Sequence, residues 1–138
     1  MKYEKSAMAI VFCKDTVLTT HEMIYGKLTI SVPKGHIEIG EDEVEAAIRE
    51  TKEETGVIIS KSDFVKKLDS FEIKFVNHHN QEVRKTIYPV VFSLLEKQEA
   101  KITEERVLKV EFMDVADFIK LCRYENVKEI VISAKNDL

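Results

Sequence analysis

A chain of 138 residues, 44% hydrophobic and 33% charged, is long enough for one buried core and polar enough for a globular domain over 1–138. Its net charge of −4 argues against a general nucleic-acid-binding surface, and no Lys/Arg run suggests a membrane-facing patch. Cys13 and Cys122 lack metal-ligand spacing, and no stretch approaches the roughly 20 apolar residues of a membrane span. A reduced, cytoplasmic protein is expected.

In chain order, "AMAIVFC" (7–13) reads as a buried strand and "TVLTTHE" (16–22) as a second. "KLTISV" (27–32) alternates Leu28, Ile30 and Val32, the period of a half-buried strand. Pro33 ends it and Gly35 permits a turn. Residues 41–55 form the clearest helix: Val44, Ala47, Ile48 and Thr51 recur at helical spacing, acids fill the first turn, and Gly56 offers a C-terminal cap. Segments 63–76 and 83–95 read as long strands joined by the polar hairpin 77–82, and 106–113 as a last strand. Residues 114–122, with Asp114 as N-cap, and 125–137 read as closing helices. That order predicts α+β, or a mixed sheet packed between helices.

The helix at 41–55 is crowded with carboxylates. With Val44 at zero on a helical wheel, Glu53, Glu50 and Glu54 fall near 180°, 240° and 280°, at the edge of the apolar stripe. Glu50 and Glu54 are a like-charge i, i+4 pair, mildly unfavourable on a bare helix. Two readings follow from these residues alone. One is a solvated face, common in Glu-rich helices. The other is a set of hard oxygen ligands for Mg²⁺ or Mn²⁺.

Gly35, Glu41, Arg49, Glu50, Glu53, Glu54 and Gly56 fall at the spacing G-x5-E-x7-R-E-U-x-E-E-x-G-U, where U is aliphatic. This resembles the Nudix box of the Nudix hydrolases; only Thr51 departs, in a slot usually aliphatic. The resemblance implies a three-layer α/β/α sandwich with a mixed central sheet. It implies metal-dependent hydrolysis of a nucleoside diphosphate linked to another moiety, with a small nucleotide as partner. Glu50, Glu53 and Glu54 would hold Mg²⁺ or Mn²⁺, helped by the Gly35 carbonyl, and Arg49 and Glu41 would orient those carboxylates.

"PKGHIEIGED" and the C-terminal "TEERVLKVEFMDVADFIKLCRYENVKEIV" look most like the asymmetrical diadenosine tetraphosphate hydrolase branch. That likeness implies cleavage to ATP and AMP. It makes Glu104, with Glu105 as its neighbour, a further metal ligand or the base that activates water, a role for which Glu53 also stands. It places Tyr124 and Tyr88 on the two sides of an adenine, and Lys34 and Lys85, with Arg84, against the phosphates. Read singly, Glu104 is also an exposed loop acid and each Tyr a rim or core residue. His36 and the pair His78–His79 have no ligand spacing. The alternatives are a pyrophosphohydrolase of oxidised or noncanonical nucleoside triphosphates, an ADP-ribose or nucleotide-sugar pyrophosphatase, or a binding module without catalysis.

Overall fold

The computed structural model describes all 138 residues. Eight strands and three helices follow the order β1 (Lys2–Cys13), β2 (Thr16–Ile24), β3 (Lys27–Ser31), β4 (Lys34–His36), α1 (Glu43–Thr55), β5 (Phe64–Lys67), β6 (Phe71–Val76), β7 (Glu82–Leu94), β8 (Val107–Asp114), α2 (Val115–Leu121) and α3 (Glu125–Asn136). The continuous apolar run in β1 has a simple cause: both of its faces are covered. Met8, Ile10 and Phe12 pack with Phe118, Val127 and Val131 of α2 and α3. Ala7, Ala9 and Val11 pack with Ala46 and Ala47 of α1 on the opposite face. Helices therefore sandwich the sheet, giving the expected three layers. The sheet is mixed: β1 runs parallel to β7 along its whole length, and all other pairs are antiparallel.

The β2 and β1 ladders locate the cleft. One edge of β2 pairs with β8 from Thr16 to Glu22, so its other edge must serve both β1, at Thr16–Val17, and β3, at Thr20–Ile24. The chain then crosses from β2 to β1, where Lys34, Gly35 and His36 pair with Met8, Ala7 and Ser6. The sheet opens between β1 and the β2–β3 hairpin. That opening is where the polar residues gather.

Three sequence expectations are corrected. The strand expected at 63–76 is two strands, because its partner β7 carries Pro89, which has no amide to donate. β5 pairs with Val90–Phe92, β6 pairs with Glu82–Ile87, and between them Leu68 N–H donates to the Pro89 carbonyl at 3.0 Å. β1 begins at Lys2 rather than Ala7, since its polar start is held by β7 and needs no apolar run. The helix begins at Glu43, capped by Asp42, which leaves Glu41 outside it. Cys13 and Cys122 are free and buried. No helix is long and apolar enough to cross a membrane.

Candidate active site

Helix α1 is fixed at both ends by local chemistry. Asp42 accepts from Glu45 N–H at 2.8 Å and the Glu45 carboxylate accepts from Asp42 N–H at 3.1 Å, a reciprocal capping box. At the other end Gly56 adopts φ 74°, the left-handed region open to glycine, and donates to the Lys52 carbonyl. Between these ends the helical period sets which carboxylates point toward β4.

Arg49 ties the two elements together. Its Nε and Nη2 donate to the Glu41 carboxylate at 2.7 and 2.9 Å, a bidentate pair, and Nη2 also donates to the His36 carbonyl at 2.8 Å. Nη1 donates to Glu50 at 2.8 Å and to Glu53 at 3.0 Å. The Arg49 hydrogen bonds hold the Glu41 carboxyl below its usual range, and Glu41 in turn raises the Arg49 guanidinium further. One planar fork thus orients three carboxylates against the loop after β4.

Glu50 lies directly against Gly35: a Cβ added there would stand 2.1 Å from the Glu50 Cδ. Glu54 is the most enclosed acid, 2% exposed, and accepts from the Lys34 N–H at 2.9 Å and from Arg106 Nη2 at 2.8 Å. Burial pushes the Glu54 carboxyl up to about 7, against the opposing pull of Arg106 and the Lys34 N–H. Burial also raises Glu50, and burial followed by the nearby Lys85 lowers Lys34. The segment before β8 is pinned to the end of α1: Lys101 N–H donates to the Thr55 carbonyl at 2.7 Å, and Thr103 Oγ1 donates to the Glu53 carbonyl. This brings Glu104 near Glu50. Arg106 Nε holds Glu104 at 2.8 Å, whereas the exposed Glu105 makes no polar contact.

A cleft of about 220 Å³ opens beside this cluster. Lys34, Gly35, Glu54, Lys85, Arg106 and Tyr124 line it, together with Ser6, Thr20, Glu22, Thr29 and Ser31. Tyr124 is the N-cap residue of α3 and lines the cleft. Tyr88 does not. It pairs with Ala7, whose side chain belongs to the α1 face, whereas Ser6 and Ile87 share the other face. Strand alternation therefore places Tyr88 beside Lys5, Ile37 and Glu41–Glu43, away from Tyr124. Arg84 likewise misses the cleft and lines a separate hollow with Phe75 and Val76. Arg106 and Glu22, linked by a 2.5 Å ion pair, were not anticipated. Arg106 sits two residues after Glu104 in "EERV", and only that proximity hinted at it.

The residues fit a hard divalent ion. Their donors are carboxylate oxygens, Gly35 leaves a cradle that any side chain would fill, and Glu54 is desolvated enough to favour a cation. No three acids converge on one point as placed, because Arg49 and Arg106 hold them. In this set Glu50, Glu53 and Glu54 would hold such an ion beside the Gly35 backbone, and Arg106 is the cation paired with Glu54.

The raised Glu54 pKa has a stability signature. A carboxyl raised in the folded state stabilises fully below its unfolded value near 4.5, and that contribution is lost as pH rises toward 7. In chelator, the melting temperature of the wild type should therefore fall relative to Glu54→Gln between pH 5 and 7. Parallel pH curves for the two proteins would show that Glu54 titrates normally.

A profile of the NUDIX domain matches residues 2–133. A protein of Lactococcus lactis subsp. cremoris (strain MG1363), named a probable DHNTP pyrophosphohydrolase, is 30% identical over 123 residues, 88% of this chain and 73% of its own length. The structure of the E. coli dihydroneopterin triphosphate pyrophosphohydrolase superposes with a TM-score of 0.68 at 17% identity, covering 95% of each chain. That of a C. elegans Ap4A hydrolase gives 0.66 at 21% identity, over 99% of this chain and 98% of the other. The two structural likenesses speak to the fold alone.

Proposed function

The chain belongs to the NUDIX family and is a pyrophosphohydrolase of nucleotide substrates, and on that premise we propose that it acts on a triphosphate bearing one heterocyclic nucleoside-like group, releasing a monophosphate and pyrophosphate. The observation that carries this reading is the cleft itself. It has one aromatic wall, Tyr124, and three cations, Lys34, Lys85 and Arg106, beside the acid cluster. Its volume falls below the ~300–1,000 Å³ of clefts that enclose drug-sized ligands. The likeness to a probable DHNTP pyrophosphohydrolase supports the same substrate class.

When bound, a divalent ion supplies neutralisation of phosphate charge and a lowered pKa for water. The chain supplies position. Lys34, Lys85 and Arg106 meet the phosphate oxygens, and Arg49 holds Glu50 and Glu53 at the angle the ligand set needs. Proton removal from water falls to Glu104 or Glu53. Their side chains are 32% and 50% exposed, whereas that of Glu54 is 3% exposed and closed to water.

Dinucleoside polyphosphates are the second reading, favoured by Tyr124 in the cleft and by the C-terminal resemblance. A two-ring sandwich of adenine would need Tyr88 as well, and that ring sits on the other face of the sheet. The two readings separate on paired variants. Tyr124→Ala should raise KM about tenfold for a nucleoside triphosphate, the effect of losing one base–aromatic stack, while Tyr88→Ala leaves it unchanged. Equal rises in both variants would restore the dinucleotide reading.

A further inference from the structure

Two hydroxyls in the cleft have no partner. Ser6 Oγ and Ser31 Oγ are buried without a hydrogen bond, in residues only 1% and 9% exposed, and both residues line the cavity. A buried hydroxyl with nothing to bond costs stability, and alanine would fill either position without that cost. Two such groups at one cavity point to a ligand that supplies their partners.

Their surroundings narrow its chemistry. Across the β2–β3 ladder, Thr20 stands opposite Ser31 and Glu22 opposite Thr29, so four short or acidic polar side chains share one wall. A hydroxyl can donate or accept, but the Glu22 carboxylate accepts only. One Glu22 oxygen is taken by Arg106, which leaves the other for a ligand N–H. We propose that Ser6 and Ser31, with Glu22, bind the edge of a planar heterocycle that carries N–H donors next to a carbonyl acceptor, the amino–lactam edge shared by guanine and pterin. These residues select the substrate's ring while Lys34, Lys85 and Arg106 meet its phosphates. The inference rests on the single-heterocycle reading above and assigns its specificity to residues outside the acidic helix.

The test separates ring recognition from phosphate recognition and needs no turnover. Metal-free wild type, Ser6→Ala, Ser31→Ala and the double variant are titrated calorimetrically with guanosine 5′-monophosphate, dihydroneopterin monophosphate and ribose 5-phosphate. The wild type should bind at least one heterocyclic phosphate more tightly than ribose 5-phosphate, and which of the two it prefers identifies the ring. Each Ser→Ala change should weaken that ligand about tenfold, leave ribose 5-phosphate unchanged, and not lower the melting temperature. Unchanged affinity in folded variants, equal losses for heterocycle and sugar phosphate, or a wild type that binds neither heterocycle better than the sugar phosphate would overturn the assignment. Turnover of guanosine triphosphate and dihydroneopterin triphosphate, measured on the same proteins with Mg²⁺, keeps the two claims apart. If the wild type releases pyrophosphate while the serine variants keep its KM, the subsite fails and the functional reading stands. If the wild type releases none from either, the functional reading itself fails.

Discussion

Glu54→Gln and Glu50→Gln should each lower kcat by roughly 10²-fold or more while the protein stays folded. Both side chains reach the junction of α1 and β4, and neither builds the apolar core. Glutamine keeps the volume, and for Glu54 it keeps an acceptor for the Lys34 N–H, but it removes the anionic oxygen a hard cation requires. The loss should therefore appear in turnover and in metal affinity, with the circular-dichroism spectrum unchanged. Near-wild-type turnover in both variants would remove these residues from the ligand set.

A methyl group at Gly35 should do nearly as much damage without touching a carboxylate. The added Cβ would meet the Glu50 carboxylate at 2.1–2.3 Å, so the flexible Glu50 side chain must move rather than the backbone. A misplacement of about 1 Å at a reacting site costs roughly 10²-fold in rate. Gly35→Ala should thus fold and melt nearly as the wild type does, yet lose turnover to a degree approaching Glu50→Gln. The double variant Gly35→Ala/Glu50→Gln should be little worse than either single one, because both changes remove the same correctly placed carboxylate. Additive losses would show that Gly35 acts through something other than Glu50.

The acidic helix was legible because every signal agreed. Apolar spacing and the spacing of Glu50, Glu53 and Glu54 follow from the 3.6-residue period and Gly56 marks the C-terminal end, whereas the start at Glu43 behind the Asp42 cap was not read. Arg49 could be assigned a role from the motif, but its contact with the His36 carbonyl depends on where β4 docks. The break between β5 and β6 was hidden because its cause, Pro89, lies on another strand. Tyr88 was misplaced for a related reason: a one-residue difference in strand parity decides which face a ring occupies, and only the β1–β7 register reveals it. Ser6, Ser31 and Glu22 carried no local signal, and Arg106 only its closeness to Glu104 in the chain. They meet because β1 and β3 diverge from one edge of β2 and because the loop before β8 is tied to the end of α1. Long-range pairing creates the cleft, so single-segment patterns describe its acidic side and miss its hydroxyl-lined wall.

The most direct measurement is a chromatographic product analysis with Mg²⁺. Dihydroneopterin triphosphate, guanosine triphosphate, diadenosine tetraphosphate and ADP-ribose are each incubated with the wild type, with Glu54→Gln in parallel. Pyrophosphate and a monophosphate should appear fastest from one of the two triphosphates, and Glu54→Gln should form little product. ATP and AMP appearing fastest from diadenosine tetraphosphate, or full activity in Glu54→Gln, would contradict it.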